Sequence, residues 1–231
     1  MWRWLAALLV AAPPAAAERI EAARYADPTT RYAHGVLGDA IEHGTLELQT
    51  DAGRTLRIVL PEERVFEDTE PRLADLDGDG APEVIVAEAH AQQGARMAVY
   101  GTEGLIAATP YIGRSFRWLA IAGAADLDGD GHMDIAYVDR PHLAKTLRIW
   151  RFRNGTLEQI ATLPGVTNHR IGEVDIAGGI RTCAGAPEVI VADAAWREVL
   201  AVRLTDGTLS PRPLGTHTGR DSFAAAMACA L

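Results

Sequence analysis

Between residues 72 and 215 the apolar positions fall into short runs, punctuated by Gly-containing turns and repeating about every fifty residues. Val84-Ile85-Val86 and Ile135-Ala136-Tyr137-Val138 cluster β-branched and aromatic residues without helical spacing, so they predict strands. In a first unit, strands are expected over 72–74, 83–88, 96–100 and 105–109, with Gly101-Thr102-Glu103-Gly104 turning the last pair. A second unit runs over 118–125, 134–139, 146–152 and 156–163, turned at Arg153-Asn154-Gly155. A third starts at Val174-Asp175-Ile176, and its Pro187-Glu188-Val189-Ile190-Val191-Ala192 matches Pro82-Glu83-Val84-Ile85-Val86-Ala87 residue for residue. Its later strands fall at 199–204 and 208–211 around Asp206-Gly207.

Residues 44–50 and 55–60 add a strand pair upstream, and 221–231 is expected to supply inner strands for the same unit. The fold class that follows is all-β: a small β-propeller of about four four-stranded blades in one domain over 18–231. Its repeats cover about 72–112, 116–165 and 171–215, with both chain ends completing a further blade.

The first and second units each carry an acidic loop between their first two strands. Asp75, Asp77, Asp79 and Glu83 stand at loop positions 1, 3, 5 and 9, as do Asp126, Asp128, Asp130 and Asp134. A hard cation wanting six to eight oxygens can be wrapped by such a turn, with Ala81 and His132 at position 7 adding backbone carbonyls. Two carboxylates about 5 Å apart repel by roughly 3 kcal/mol at an effective dielectric of about 20, and a divalent ion removes that conflict. Two Ca2+ sites are therefore expected.

The same opening begins an EF-hand, but position 12 is Val86 or Tyr137 where a bidentate Glu is needed. Strand-like flanks also replace the helices. The third unit keeps Asp175 while its loop, read as Ala177 to Cys183, lacks acids at positions 3 and 5, so no calcium is expected there.

The chain begins Met1-Trp2-Arg3-Trp4, runs through an apolar stretch to Ala12 and reaches Ala15-Ala16-Ala17. This reads as a secretory signal peptide over 1–17, too short to span a bilayer, which predicts a periplasmic or secreted protein without a transmembrane segment. In an oxidising compartment Cys183 and Cys229 are expected to pair, the alternative being two buried free thiols. The formal net charge is −9, and loss of Arg3 makes it one unit more negative. Nucleic acid is excluded as a partner on that balance.

With these loops and strands together, the units resemble the FG-GAP, or VCBS, repeats of integrin-α-like β-propellers and of exported bacterial proteins. The resemblance is strong over two units and weak over the third, and the FG-GAP signature itself is loose, at Ile121-Ala122-Gly123-Ala124-Ala125. It implies that the acidic loop joins the first and second blade strands and binds calcium.

Alternating strand direction places the calcium loops and Gly turns at one end and the remaining connections at the other. That second end gathers Tyr111, Arg114, Arg140, His142, His169, Arg170 and Trp196, a candidate ligand face in an acidic protein. The function read from this arrangement is a non-enzymatic module that binds a protein or glycan. The alternative is a calcium-stabilised hydrolase or lyase acting on an anionic polymer, with Arg140, His142, His169 and Arg170 near its site. Neither GxSxG nor HExxH occurs in the chain.

Overall fold

The computed structural model describes residues 18–183 and 185–231; the expected signal peptide lies outside them. Strands β1 (Ile20–Thr29), β2 (Glu42–Thr50) and β3 (Thr55–Val59) come first, with β2 between the other two. The first repeat unit follows as β4 (Arg64–Phe66), β5 (Arg72–Ala74), β6 (Glu83–His90), β7 (Gly94–Gly101) and β8 (Gly104–Ala108). The second is β9 (Leu119–Ala125), β10 (Asp134–Asp139), β11 (Thr146–Arg153) and β12 (Thr156–Pro164). The third is β13 (Val166–Thr167), β14 (Gly179–Arg181), β15 (Glu188–Asp193), β16 (Glu198–Thr205) and β17 (Thr208–Thr216). A helix, α1 (Arg220–Met227), ends the fold.

All strand pairs are antiparallel, in three sheets of eight, four and five strands. The first sheet is one body because His43 of β2 bridges to Phe66 of β4.

Why the second strand of each unit is apolar without interruption becomes clear from its two faces. Successive strand residues point to opposite sides of a sheet. Val84 and Val86 of β6 pack with Leu46, Leu48 and Phe66, while Ile85 and Ala87 face a second cluster with Met97, Trp118 and Ile135. In β10, Ile135 and Tyr137 join that second cluster, and Ala136 and Val138 join a third with Val189 and Val191 of β15. In β15 the odd residues face the third cluster, and Ile190 and Ala192 pack under Phe223 and Ala226 of α1. Each of these strands serves two cores.

Two expectations are corrected. The stretch 221–231 contributes no inner strand and instead contains most of α1. Its Asp-Ser-Phe-Ala-Ala-Ala-Met run has no β-branched residue and is rich in strong helix formers. The first strand of a unit is also not always single, since β4 and β5 both pair with β6, and β13 and β14 both pair with β15.

At the first of these breaks Pro71 has no N–H to donate, and the Asp68 carboxylate accepts the Ala87 N–H at 2.9 Å in place of a strand carbonyl. At the second, residues 168–178 leave the sheet to meet the segment between β1 and β2, where the Gly172 N–H donates to the Val36 carbonyl at 3.0 Å. Among the described residues no strand pair joins the first sheet to the last.

Candidate functional site

The first acidic loop connects β5 to β6. Asp75, Asp77 and Asp79 are exposed, and each offers a carboxylate oxygen within 4.8 Å of the others. The turn is organised by its own acids: Asp75 accepts N–H bonds from Gly78 at 2.8 Å and Gly80 at 3.0 Å, and Asp79 accepts from Ala81 at 2.7 Å. Gly78 and Gly80 sit at φ 79° and 87°, where a side chain is disfavoured. Leu76 is buried among core residues and pins the loop, while its N–H donates to Glu83 at 2.8 Å. Burial raises the Glu83 carboxyl above its ordinary range.

The second loop, between β9 and β10, repeats this pattern. Asp126 accepts from Gly129 at 2.8 Å and Gly131 at 2.9 Å, Asp130 from His132 at 2.9 Å, and Asp134 from Leu127 at 3.3 Å. Asp126, Asp128 and Asp130 again converge within 4.8 Å, and Asp128 Oδ1 is buried without a hydrogen-bond partner. A hard cation suits that orphaned oxygen and the acceptor-only donor set, so the residues of both loops fit such an ion.

The family model of the FG-GAP-like repeat matches residues 75–137. This stretch is an FG-GAP-like repeat. The match begins at the first acidic residue of loop one and runs through loop two into β10. No curated protein matches the chain.

The units around the FG-GAP-like repeat differ in one register position. Asp134 pairs across β10 and β11 with Arg151. That guanidinium reaches Asp128 at 2.8 Å, Asp130 at 2.6 Å and Asp134 at 2.9 Å. One step beyond the Val84–Tyr100 pair, the first unit has Gly101 in this place, and one step beyond Val189–Val202 the third has Arg203. Loop one therefore has no internal cation, and loop two has one.

In the third unit the position-9 acid is Glu188, held by Arg181 at 3.1 Å, Arg203 at 2.7 Å and Arg212 at 3.2 Å. Burial works to raise Glu188, but the three guanidinium hydrogen bonds outweigh it and hold the carboxyl below its ordinary range.

The third unit also corrects the expected register. Arg181 pairs with Glu188 as Ala74 pairs with Glu83, so β14 occupies the stretch read as a loop, and the true connection is 182–187. Asp175 precedes that strand and is not a loop acid; it pairs with Arg220 at 2.8 Å. Cys183 does stand in the shortened connection, bonded to Cys229 with a Cα–Cα distance of 5.6 Å.

Away from the acidic loops, the seven ligand-face residues divide among separate contacts. Tyr111 lies under Arg96 at 4.6 Å and shares a groove of about 240 Å3 with Arg140, whose guanidinium is engaged by Asp139 at 2.8 Å. His142 Nε2 meets His169 Nδ1 at 3.0 Å, and His169 is fully buried, so it meets a ligand only through His142. Arg170 stacks on Trp196 at 4.3 Å. Arg114 is exposed, and its backbone N–H donates to the Gln93 carbonyl at 2.9 Å.

Sequence reasoning missed His34 and Glu67, which meet at 2.5 Å beside Trp118. His34 belongs to a segment with no periodicity, and only its pairing with a distant acid marks it.

Proposed function

We propose that the chain is an exported FG-GAP-repeat module of propeller type, stabilised by Ca2+ in its acidic loops and presenting the opposite loops to a protein or glycan. The observation that carries the metal reading is the convergence of three carboxylates in each loop, with Asp128 Oδ1 buried and unpartnered in the second. Asp75, Asp77, Asp79 and Glu83 would hold one ion, with the Ala81 carbonyl; Asp126, Asp128, Asp130 and Asp134 would hold the other, with the His132 carbonyl. The ion supplies charge neutralisation and cross-links the first strand of a unit to the second. Its role is structural.

The repeated unit and the doubly buried second strands support the propeller reading, because blades pack in that face-to-face manner. The disulfide supports export, and no helix among the described residues is long and apolar enough to cross a membrane. The binding role rests on the basic and aromatic loop end, including the Arg170–Trp196 stack.

An ion bound only by the folded state raises stability by about 2.7 kcal/mol at 100 times its dissociation constant. Thermal unfolding of the mature protein in calcium and then in excess chelator tests this directly. The melting temperature should rise with calcium, and an unchanged value sinks the metal reading. Capture from the native exported fraction, compared between wild type and an Arg170→Ala, Trp196→Ala variant, tests the binding end.

A further inference from the structure

Among the connections remote from the acidic loops lies a cleft of about 210 Å3 that neither the cation loops nor the Arg170–Trp196 stack uses. Its lining comes from four segments far apart in the chain: residues 30–41, the β8–β9 and β10–β11 connections, and the excursion between β13 and β14.

Three independent features point to a ligand. Phe116, Leu143 and Ile171 all line this cleft while remaining 46%, 62% and 71% exposed. Exposed apolar groups gathered around one concavity are a mark of binding. Two of the lining residues, Phe116 and Arg140, also hold non-glycine backbones at φ 53° and 46°. Such strain collects at sites where a side chain must be held in a particular place. Phe116 is kept there by the Tyr32 hydroxyl, which accepts its N–H at 2.7 Å.

The third feature is the polar equipment. His169 Nε2 donates to the Glu173 carbonyl at 2.9 Å, so neutral His169 accepts at Nδ1 from His142 Nε2–H. His142 Nδ1 is left as a lone pair without a partner among the described residues. Burial supports this assignment by lowering the His142 pKa to about 4.

His34 Nδ1 is hydrogen-bonded to Glu67, which is fully buried and whose second oxygen has no partner among the described residues, and the proton of that bond lies on one group or the other. His34 Nε2 therefore serves as donor or acceptor according to where that proton rests. Arg140 is committed to Asp139, but the Arg117 guanidinium donates only to the neighbouring Phe116 carbonyl and forms no ion pair among the described residues. The cleft thus offers an aromatic wall, one available cation and two imidazole nitrogens. A metal is the wrong occupant, since the converging groups of three or more His, Cys, Asp or Glu among the described residues are the two Asp triads alone.

We propose that this cleft binds a small aromatic hydroxy acid, its ring against Phe116, Leu143 and Ile171, its carboxylate at Arg117 and its hydroxyl at His34 and His142. A hydroxyl both donates and accepts, which suits one fixed lone pair beside one adaptable nitrogen. The volume lies below the roughly 300–1,000 Å3 of clefts for drug-sized ligands, which favours a single ring. The proposal goes beyond a protein or glycan partner and needs neither acidic loop.

The test is calorimetric titration of the full mature chain, calcium present, with 4-hydroxybenzoate, benzoate and phenol. Saturable one-to-one binding of 4-hydroxybenzoate is expected at about 1 mM or tighter. Arg117→Ala should weaken it about tenfold, as should replacing it with phenol, and phenol should not respond to Arg117→Ala. His34→Gln should weaken 4-hydroxybenzoate but leave benzoate unchanged.

Arg117 is partly exposed and outside the buried pair, so its variant reports even if His34→Gln unfolds. Absence of saturable binding, or equal affinity of wild type and Arg117→Ala, overturns the proposal. Arg19→Ala, at an exposed position that lines no part of the cleft, serves as the control. Failure of the calcium-dependent melting shift would count against the metal reading alone, and failure of this titration against the cleft alone.

Discussion

At the scale of single residues, the position occupied by Gly101, Arg151 and Arg203 in successive units decides how each unit balances its acids. On the proposed reading, Arg151 stands where a divalent ion would otherwise neutralise loop two, so loop one would be the tighter cation site. Arg151→Gly should lower stability in chelator by about 1–2 kcal/mol, a discounted value because the pairs are partly exposed. Calcium should restore more stability to this variant than to wild type, as read from denaturation midpoints at fixed free calcium.

Glu42 supplies a second residue-scale test. It is 2% exposed, and burial first, then the nearby Glu67 carboxylate, pushes its pKa up to about 9. A carboxyl raised in the folded state binds its proton more tightly folded than unfolded, so stability falls as pH climbs from about 4.5 to 9. Glu42→Gln should remove that loss, making the variant more stable near pH 8, by up to about 5 kcal/mol, and about equal near pH 4.5. Urea denaturation at the two pH values, both in chelator, checks the sign.

At the scale of elements, the strands that serve two cores were the most legible. β10 matches its expected bounds, and β6 and β15 match within two residues, because burial on both faces selects uninterrupted apolar runs rich in β-branched residues. β1 was missed: its Ala, Arg and Glu content carries no alternation, and Ile20 alone among its side chains is buried. The split strands were missed because their breaks are closed by distant partners such as the Asp68 carboxylate on Ala87. The acidic loops were readable because every acid of a loop lies within nine residues; the His34–Glu67 pair spans 33 and has no local signature.

Helix α1 covers the outer face of the third unit through Phe223, which packs on Ile190 and Val199. Phe223→Ala should cost about 3 kcal/mol by the usual scale for buried aromatic truncation, measured as a shift in urea midpoint. Reducing the Cys183–Cys229 bond, which spans 46 residues, should cost up to about 4 kcal/mol on the chain-entropy account.

At the scale of the whole molecule, the units differ in how they depend on their surroundings. On the proposed reading the first would rely on an ion from outside, while the second carries a guanidinium among its acids and the third is fixed by three arginines and a covalent bond. Limited proteolysis in chelator should therefore begin in residues 75–82 and reach 182–187 last, with calcium delaying the first cut. Cleavage starting at 182–187 would contradict that order.

Because β6 and β10 each face two cores, loosening at loop one would be passed first to the neighbouring sheet and then to the next. A drop in external calcium would thus be registered as a graded softening from the amino-terminal side, while the carboxy-terminal part held its shape. On that reading the molecule would behave as a fixed post with an ion-sensitive arm.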